Sequence, residues 1–280
     1  VSESRIAAAF ARARGKGRSA FIAYLTAGDP AAGGTVALAR ILDRTGADVL
    51  ELGVPFSDPI ADGPVLQRAA ARSLAAGTTL PAVWRLARDI RRESGIALVL
   101  FSYLNPLMRR GLARAAKEAK AAGFDAVLIT DLPPEEAGDI QPVLRAAGLD
   151  TVFLVSPTSS AQRMARAARL SSGFLYVVSR TGTTGTRDSL SRTLPETVAR
   201  ARLAVSRRGG AAARLPIAVG FGISTPAAVL AAARLAEGVV VGSALVAAAE
   251  SGGPAAFERL SRRLGRACRR VTRRRDRRTK

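Results

Sequence analysis

The sequence predicts a single α/β domain folded as a (β/α)8 TIM barrel with an extra N-terminal helix. Three observations carry that expectation. Eight short β-branched runs alternate with Ala/Arg-rich stretches of helical periodicity along the chain. Most of the runs, such as VLEL, ALVLF, AVLIT, TVFLV and GVVVG, are nearly continuous apolar segments, the pattern of parallel strands covered on both faces. The 280 residues also suit one barrel, which takes roughly 250. An open doubly wound sheet would usually have fewer strands.

In chain order, Ile6, Phe10 and Ala13 recur at helical spacing and predict a short amphipathic helix across the bottom of the barrel. Strands are expected at residues 20–26, 48–53, 97–103, 126–130, 151–155, 174–179, 217–221 and 239–242. Helices are expected at 30–44, 80–93, 108–122, 134–146, 161–170, 194–206, 226–236 and 254–271. Asp, Thr or Pro precedes several of them, and the Ala-Gly pairs at 122–123 and 147–148 are natural stops, because glycine takes the left-handed cap at little cost. Residues 54–79 stand out as a long connection, against ~2–6 residues for an ordinary βα loop. Long loops at the C-terminal ends of barrel strands are where function is expected. Asp62-Gly63-Pro64 could open a helix within this one. Residues 206–214 predict a loose surface loop. The domain division expected is one barrel domain over 1–258, including the N-terminal helix, and a basic helix end and tail over 259–280.

Composition removes several chemistries. One cysteine, Cys268, excludes an intrachain disulfide. With no histidine, a Cys/His zinc site and a Ser-His-Asp triad are excluded as well. Acid–base work then falls to Asp, Glu, Lys, Tyr or Cys268. The N-terminal stretch lacks the long apolar core of a secretory leader, and no apolar run reaches the ~18 residues of a membrane span, so a cytoplasmic location is expected. The net charge is +21, and residues 259–280 hold twelve Arg or Lys against one acid, about half of the excess. A solvated helix end with a basic tail accounts for this, and so does a patch for an anionic partner. No aromatic interleaving or nucleic-acid motif supports specific nucleic-acid recognition.

Glu51 ends a buried run, VLELG, where an ionised carboxylate is costly unless paired or used. It is a candidate acid/base or a structural ion pair. Asp58 and Asp62 lie in the proline-rich PFSDPIADGP, either as turn and capping residues or as held carboxylates. Glycine-rich strand ends follow at 179–185, 220–224 and 242–243. Three in succession favour a phosphate site, since glycine lets backbone N–H groups approach an anion and a helix N-terminus favours negative charge. Ser243 adds a hydroxyl. Residues 181–187, TGTTGTR, suit a lid over the substrate or a plain surface loop.

The run ELGVPFSDPIADGP at 51–64 resembles the signature of tryptophan synthase α subunits. So do AFIAYLTAGDP at 20–30, YLNP at 103–106, DLP at 131–133, and the segments 176–185, 220–224 and 242–243, all in the same order. The resemblance spans residues 20 to about 246. It implies retro-aldol cleavage of indole-3-glycerol phosphate to indole and glyceraldehyde 3-phosphate. Glu51 would then carry protons, and Asp62 would stabilise charge at the indole N–H. Tyr24, Phe101, Tyr103, Ile129, Tyr176 and Thr184 correspond to substrate contacts. Gly185, Phe221, Gly222, Gly242 and Ser243 correspond to the phosphate pocket. No cofactor is implied for this chain. A β subunit carrying pyridoxal phosphate is the implied partner, in an α2β2 heterotetramer that receives indole through a tunnel, with Phe56, Asp58 and Pro59 near the interface. A stand-alone lyase that releases indole and a non-catalytic regulatory subunit are the other possibilities. The sequence departs from the family in Ala23, where proline is common, and in its Arg-rich charge, its 206–214 loop and its tail.

Overall fold

A computed structural model describes residues 4–179, 192–210 and 214–269. Eight parallel strands close into a barrel in sequence order: β1 (Ala20–Thr26), β2 (Val49–Gly53), β3 (Ala97–Ser102), β4 (Ala126–Ile129), β5 (Asp150–Val155), β6 (Leu175–Val178), β7 (Ile217–Gly220) and β8 (Gly238–Val241). The expected barrel is therefore present. β3, β4, β6, β7 and β8 each end one residue short of the sequence expectation. Thr130 and Ser179 still donate backbone bonds of 2.9 Å to Ser102 and Gly220 of the neighbouring strands.

The outer helices are α2 (Ala32–Thr45), α3 (Pro64–Ala75), α4 (Leu80–Glu93), α5 (Leu104–Arg110), α6 (Leu112–Ala122), α7 (Ile140–Ala146), α8 (Ala161–Leu170), α9 (Leu194–Ser206), α10 (Pro226–Ala233) and α11 (Ser243–Arg269), after an N-terminal α1 (Arg5–Gly15). Four differ from expectation. α3 lies inside the supposed long loop. Pro64 opens it, as Asp62-Gly63-Pro64 allowed, but its buried face is Ala69, Ala70 and Ser73, which offers no apolar contrast to read. The helix expected over 108–122 is two helices, because Gly111 adopts φ 82 between them. The one expected from residue 134 begins as a 3-10 turn, Pro134–Glu136, before α7. α11 starts eleven residues before the expected 254 and bends at Gly253, whose φ of 62 and ψ of −165 interrupt its helical path.

Side chains alternate in and out of the barrel wall with the strand period of two. Ile22, Tyr24, Val49, Val99, Phe101, Leu128 and Tyr176 pack in the interior, with Ala20, Ala97, Ala126 and Ala218 as the small partners that make room for them. Leu50, Leu52, Leu98, Leu100, Val127 and Val219 face the helices instead. α1 seals the bottom, burying Ile6, Ala9, Phe10 and Ala13 against the interior cluster, which confirms the reading of its spacing. Each fully buried Phe or Ile stabilises the fold by about 1.5–3 kcal/mol relative to exposure. Four aromatic rings continue the packing upward: Phe10 to Phe174 at 5.7 Å between centroids, Phe174 to Tyr176 at 6.2 Å, and Tyr176 to Phe221 at 5.7 Å.

The bottom is also tied by charge. Asp48, just before β2, accepts from Arg18 and from the Phe21 N–H at 2.8 Å. Asp125, just before β4, accepts from Arg91 at 2.9 Å, Arg5 at 3.1 Å and the Leu98 N–H at 2.9 Å. Glu237, just before β8, accepts from Arg202 at 3.0 Å and from the Ile217 N–H at 3.1 Å. Each carboxylate satisfies a strand-start amide and a guanidinium together, so these acids are structural.

Candidate active site

The buried acids among the described residues are Asp29, Asp48, Glu51, Asp62 and Asp125. Asp48 and Asp125 belong to the bottom clamps. Asp29, beyond the mouth end of β1, is paired with Arg72 at 2.7 Å. Glu51 and Asp62 have no cation within ion-pair distance among the described residues, and both lie at the mouth. That separates the two candidates from the three structural acids.

Glu51 points into the barrel from β2, beside Tyr24 in the register of β1 and β2. It is 1% exposed, and its Oε1 has no hydrogen-bond partner among the described residues. Burial without compensation pushes its carboxyl up to about 8, from an ordinary 4.5. The group is therefore largely protonated at neutral pH and poised to give a proton away.

Asp62 reaches the same space from the loop after β2. It is buried, and burial raises its carboxyl to about 6, opposed by the hydrogen bond that the Tyr103 hydroxyl donates at 3.2 Å. Tyr103 in turn accepts from the Ala61 N–H at 3.0 Å, which fixes the loop around the aspartate. Both carboxyls act on Tyr24, and near pH 7 they hold different protonation states, the arrangement that lets one serve as acid while the other stays charged. Removing the Tyr103 hydroxyl takes away a bond that favours the carboxylate. In Tyr103→Phe, Asp62 should therefore titrate above about 6, as followed by carbonyl-carbon NMR of the aspartates. A downward shift would contradict this geometry.

Tyr24 and Tyr176 complete the walls. Both phenols are pushed up by burial, Tyr24 further by the charges of Asp62 and Glu51, and Tyr176 by that of Glu51. Tyr24 packs edge-on to Phe101 at 5.0 Å and its hydroxyl lies 3.4 Å from Thr26 Oγ1. Glycine makes room for both rings: a Cβ on Gly53 would fall 2.1 Å from the Tyr24 hydroxyl, and one on Gly220 would fall 2.0 Å from the Tyr176 hydroxyl. Phe56 stacks near Tyr103 at 5.1 Å.

Beyond β7, Phe221 and Gly222 take φ 69 and 72 in succession. Phe221 is the one non-glycine with positive φ among the described residues, a cost of order 1–3 kcal/mol that persists only where surroundings enforce it. Its ring is held by Tyr176, and its carbonyl accepts from the Ser179 hydroxyl. After β8, Gly242 leads into Ser243, the first residue of α11, so the open amides of that helix start at the mouth. These strand ends lie side by side because β6, β7 and β8 are neighbours.

Among the predicted site residues, Glu51, Asp62, Tyr24, Phe101, Tyr103 and Tyr176 come together at the mouth, and Phe221, Gly222, Gly242 and Ser243 line its β7–β8 side. Ile129 does not join them. It packs in the layer between the sheet and the outer helices, because the period of two turns Leu128 inward and Ile129 outward. Thr184, Gly185 and the lid expected at 181–187 lie outside the described residues. Leu128 and Thr26 are the interior neighbours that sequence reasoning missed. Counting in twos from Tyr24 and Phe101 and across the register would have found them.

A sequence model of the family described as tryptophan synthase alpha chain matches residues 10–271. A tryptophan synthase alpha chain from Solibacter usitatus is 51% identical over 243 residues, 87% of this chain and 88% of that one. One from Geobacter sulfurreducens is 46% identical over 243 residues, covering 87% and 89%. A solved tryptophan synthase structure from Mycobacterium tuberculosis superimposes with a TM-score of 0.87 at 34% identity, covering 96% of this chain and 99% of that one.

Proposed function

The chain belongs to the tryptophan synthase alpha chain family, and from that premise we propose how its residues carry out the family's reaction. The protein is a carbon–carbon lyase of tryptophan biosynthesis that cleaves indole-3-glycerol phosphate to indole and glyceraldehyde 3-phosphate.

In our reading, protonated Glu51 delivers its proton to indole C3. The ring then carries positive charge at its N–H, and the Asp62 carboxylate stabilises it there. Glu51, now a carboxylate, takes the proton of the glycerol hydroxyl next to C3. The bond between C3 and the glycerol carbon breaks, its electron pair returns to the ring, and the hydroxyl carbon becomes the aldehyde. Glu51 gives one proton and recovers one, so the cycle balances. The observation that carries this reading is the fully buried Glu51, whose Oε1 has no hydrogen-bond partner among the described residues, with Asp62 near enough that both acids act on Tyr24. Tyr24, Phe101, Tyr103 and Tyr176 would sandwich the indole, and Thr184 is carried over as a further substrate contact. Gly185, Phe221, Gly222, Gly242 and Ser243 would hold the phosphate, supported by the strained Phe221-Gly222 turn and the helix start at Ser243.

The indole ring itself accepts the electrons, so the reading requires no cofactor in this chain and assigns pyridoxal phosphate to a β partner. We place that partner at the mouth, in an α2β2 assembly. Ile60, 80% exposed, lies in the same loop as Phe56, Asp58 and Pro59, and Met108, 51% exposed, lies on α5, which follows β3. No helix among the described residues is long and apolar enough to cross a membrane, and a cytoplasmic location suits the pathway. Every named site residue precedes residue 244, so the chemistry belongs to 1–258 and leaves 259–280 outside it.

The test is an indole-release assay with indole-3-glycerol phosphate, with and without a β subunit. Indole should form in both and faster with the partner. No cleavage in either would overturn the reading, and equal rates in both would favour a stand-alone lyase.

A further inference from the structure

At the opposite end of the barrel from Glu51 lies a second cavity of about 270 Å³. It opens between α1, α9 and the starts of β1, β7 and β8. Phe10, Val205, Leu215 and Pro216 give it apolar walls, and Arg14, Arg18, Arg202 and Arg214 line it with one carboxylate, Glu237.

The guanidiniums are not equivalent. Arg202 is engaged with Glu237, and Arg18 is clamped to Asp48. Arg14 and Arg214 have no carboxylate within ion-pair distance among the described residues. Arg18 has a further feature. Its side chain is only 6% exposed, and its Nε–H is a buried donor with no acceptor among the described residues. Arg18 is thus committed to the bottom clamp, and the uncompensated positive charge of the cavity comes from Arg14 and Arg214.

We propose that this cavity is a binding site for a small aromatic carboxylate, distinct from the catalytic mouth. The carboxylate would pair with Arg14 and Arg214, while the ring packs on Phe10, Leu215 and Pro216. The volume sits just under the ~300–1,000 Å³ of drug-sized pockets, which limits the ligand to one or two rings. A guanidinium fork matches a carboxylate in both shape and charge, and Arg also stacks on aromatic faces.

The probe is 2-naphthoate, titrated into the full chain by calorimetry. Saturable binding at one site per chain is expected. The double variant Arg14→Ala/Arg214→Ala should weaken it at least tenfold while indole release is unchanged, because neither residue is near the mouth. The neutral 2-naphthamide should bind at least tenfold more weakly than the acid. The proposal is overturned by no saturable binding, by an unchanged affinity in the double variant, by equal binding of the amide, or by competition between 2-naphthoate and indole-3-glycerol phosphate.

Discussion

Glu51→Gln should lower the turnover number for indole release by about 10²–10⁴-fold, the usual contribution of a positioned acid/base. Glutamine keeps the shape and fills the same space, but it has no proton to give to C3 and no carboxylate to take the hydroxyl proton. The same variant should also change how stability depends on pH. In the fold Glu51 titrates at about 8, against an ordinary 4.5. The folded state therefore holds a proton that the unfolded chain releases between those values. The carboxyl's contribution to stability is full below about 4.5 and is lost as pH rises through 8. Glutamine does not titrate, so the variant's melting temperature relative to the parent should climb from pH 5 to pH 9, as read by circular dichroism. A difference that stays constant over that range would show that Glu51 is not the buried, uncompensated group described here. Near-parental turnover would remove it from the chemistry.

Asp62→Asn should lower turnover by about 10²–10³-fold with a smaller change in KM. The reason is where the charge develops. Before C3 is protonated the indole N–H is neutral, and an amide can still accept a hydrogen bond from it. Once the ring is cationic, only a carboxylate answers it fully, so the loss falls on the transition state. The hydrogen bond from Tyr103 to the side-chain oxygen can survive in the variant, which keeps the loop in place. Steady-state kinetics decide the matter. A rise in KM at unchanged turnover would make Asp62 a binding group only.

Much of this was legible before any coordinates. The parallel barrel follows from continuous apolar runs such as ALVLF and GVVVG, which suit only strands covered on both sides. Glu51 was visible as a charge inside such a run, but the sequence alone could not separate it from a structural acid such as Asp48. That needed the partners: Arg18 and the Phe21 amide for Asp48, and none for the Oε1 of Glu51 among the described residues. Helix α3 was hidden because alanine and serine bury without a periodic signal. Ile129 was assigned to the pocket by resemblance of the strand, and a one-residue offset in a period of two placed its side chain on the wrong side of the wall. The strained Phe221 had no sequence signal at all, because a phenylalanine at positive φ is dictated by the Tyr176 ring and the Ser179 hydroxyl, which come from another strand.

The column of rings from Phe10 to Phe221 has a bearing on traffic. Among the described residues these rings pack the interior from the floor, where α1 lies, up to Phe221 beyond β7. A product made beside Glu51 therefore has a packed apolar floor beneath it, and the mouth is the shorter way out. On that side Ile60, in the loop after β2, and Met108, on α5, are exposed apolar side chains. Whatever docks there therefore decides whether the product is handed on or lost.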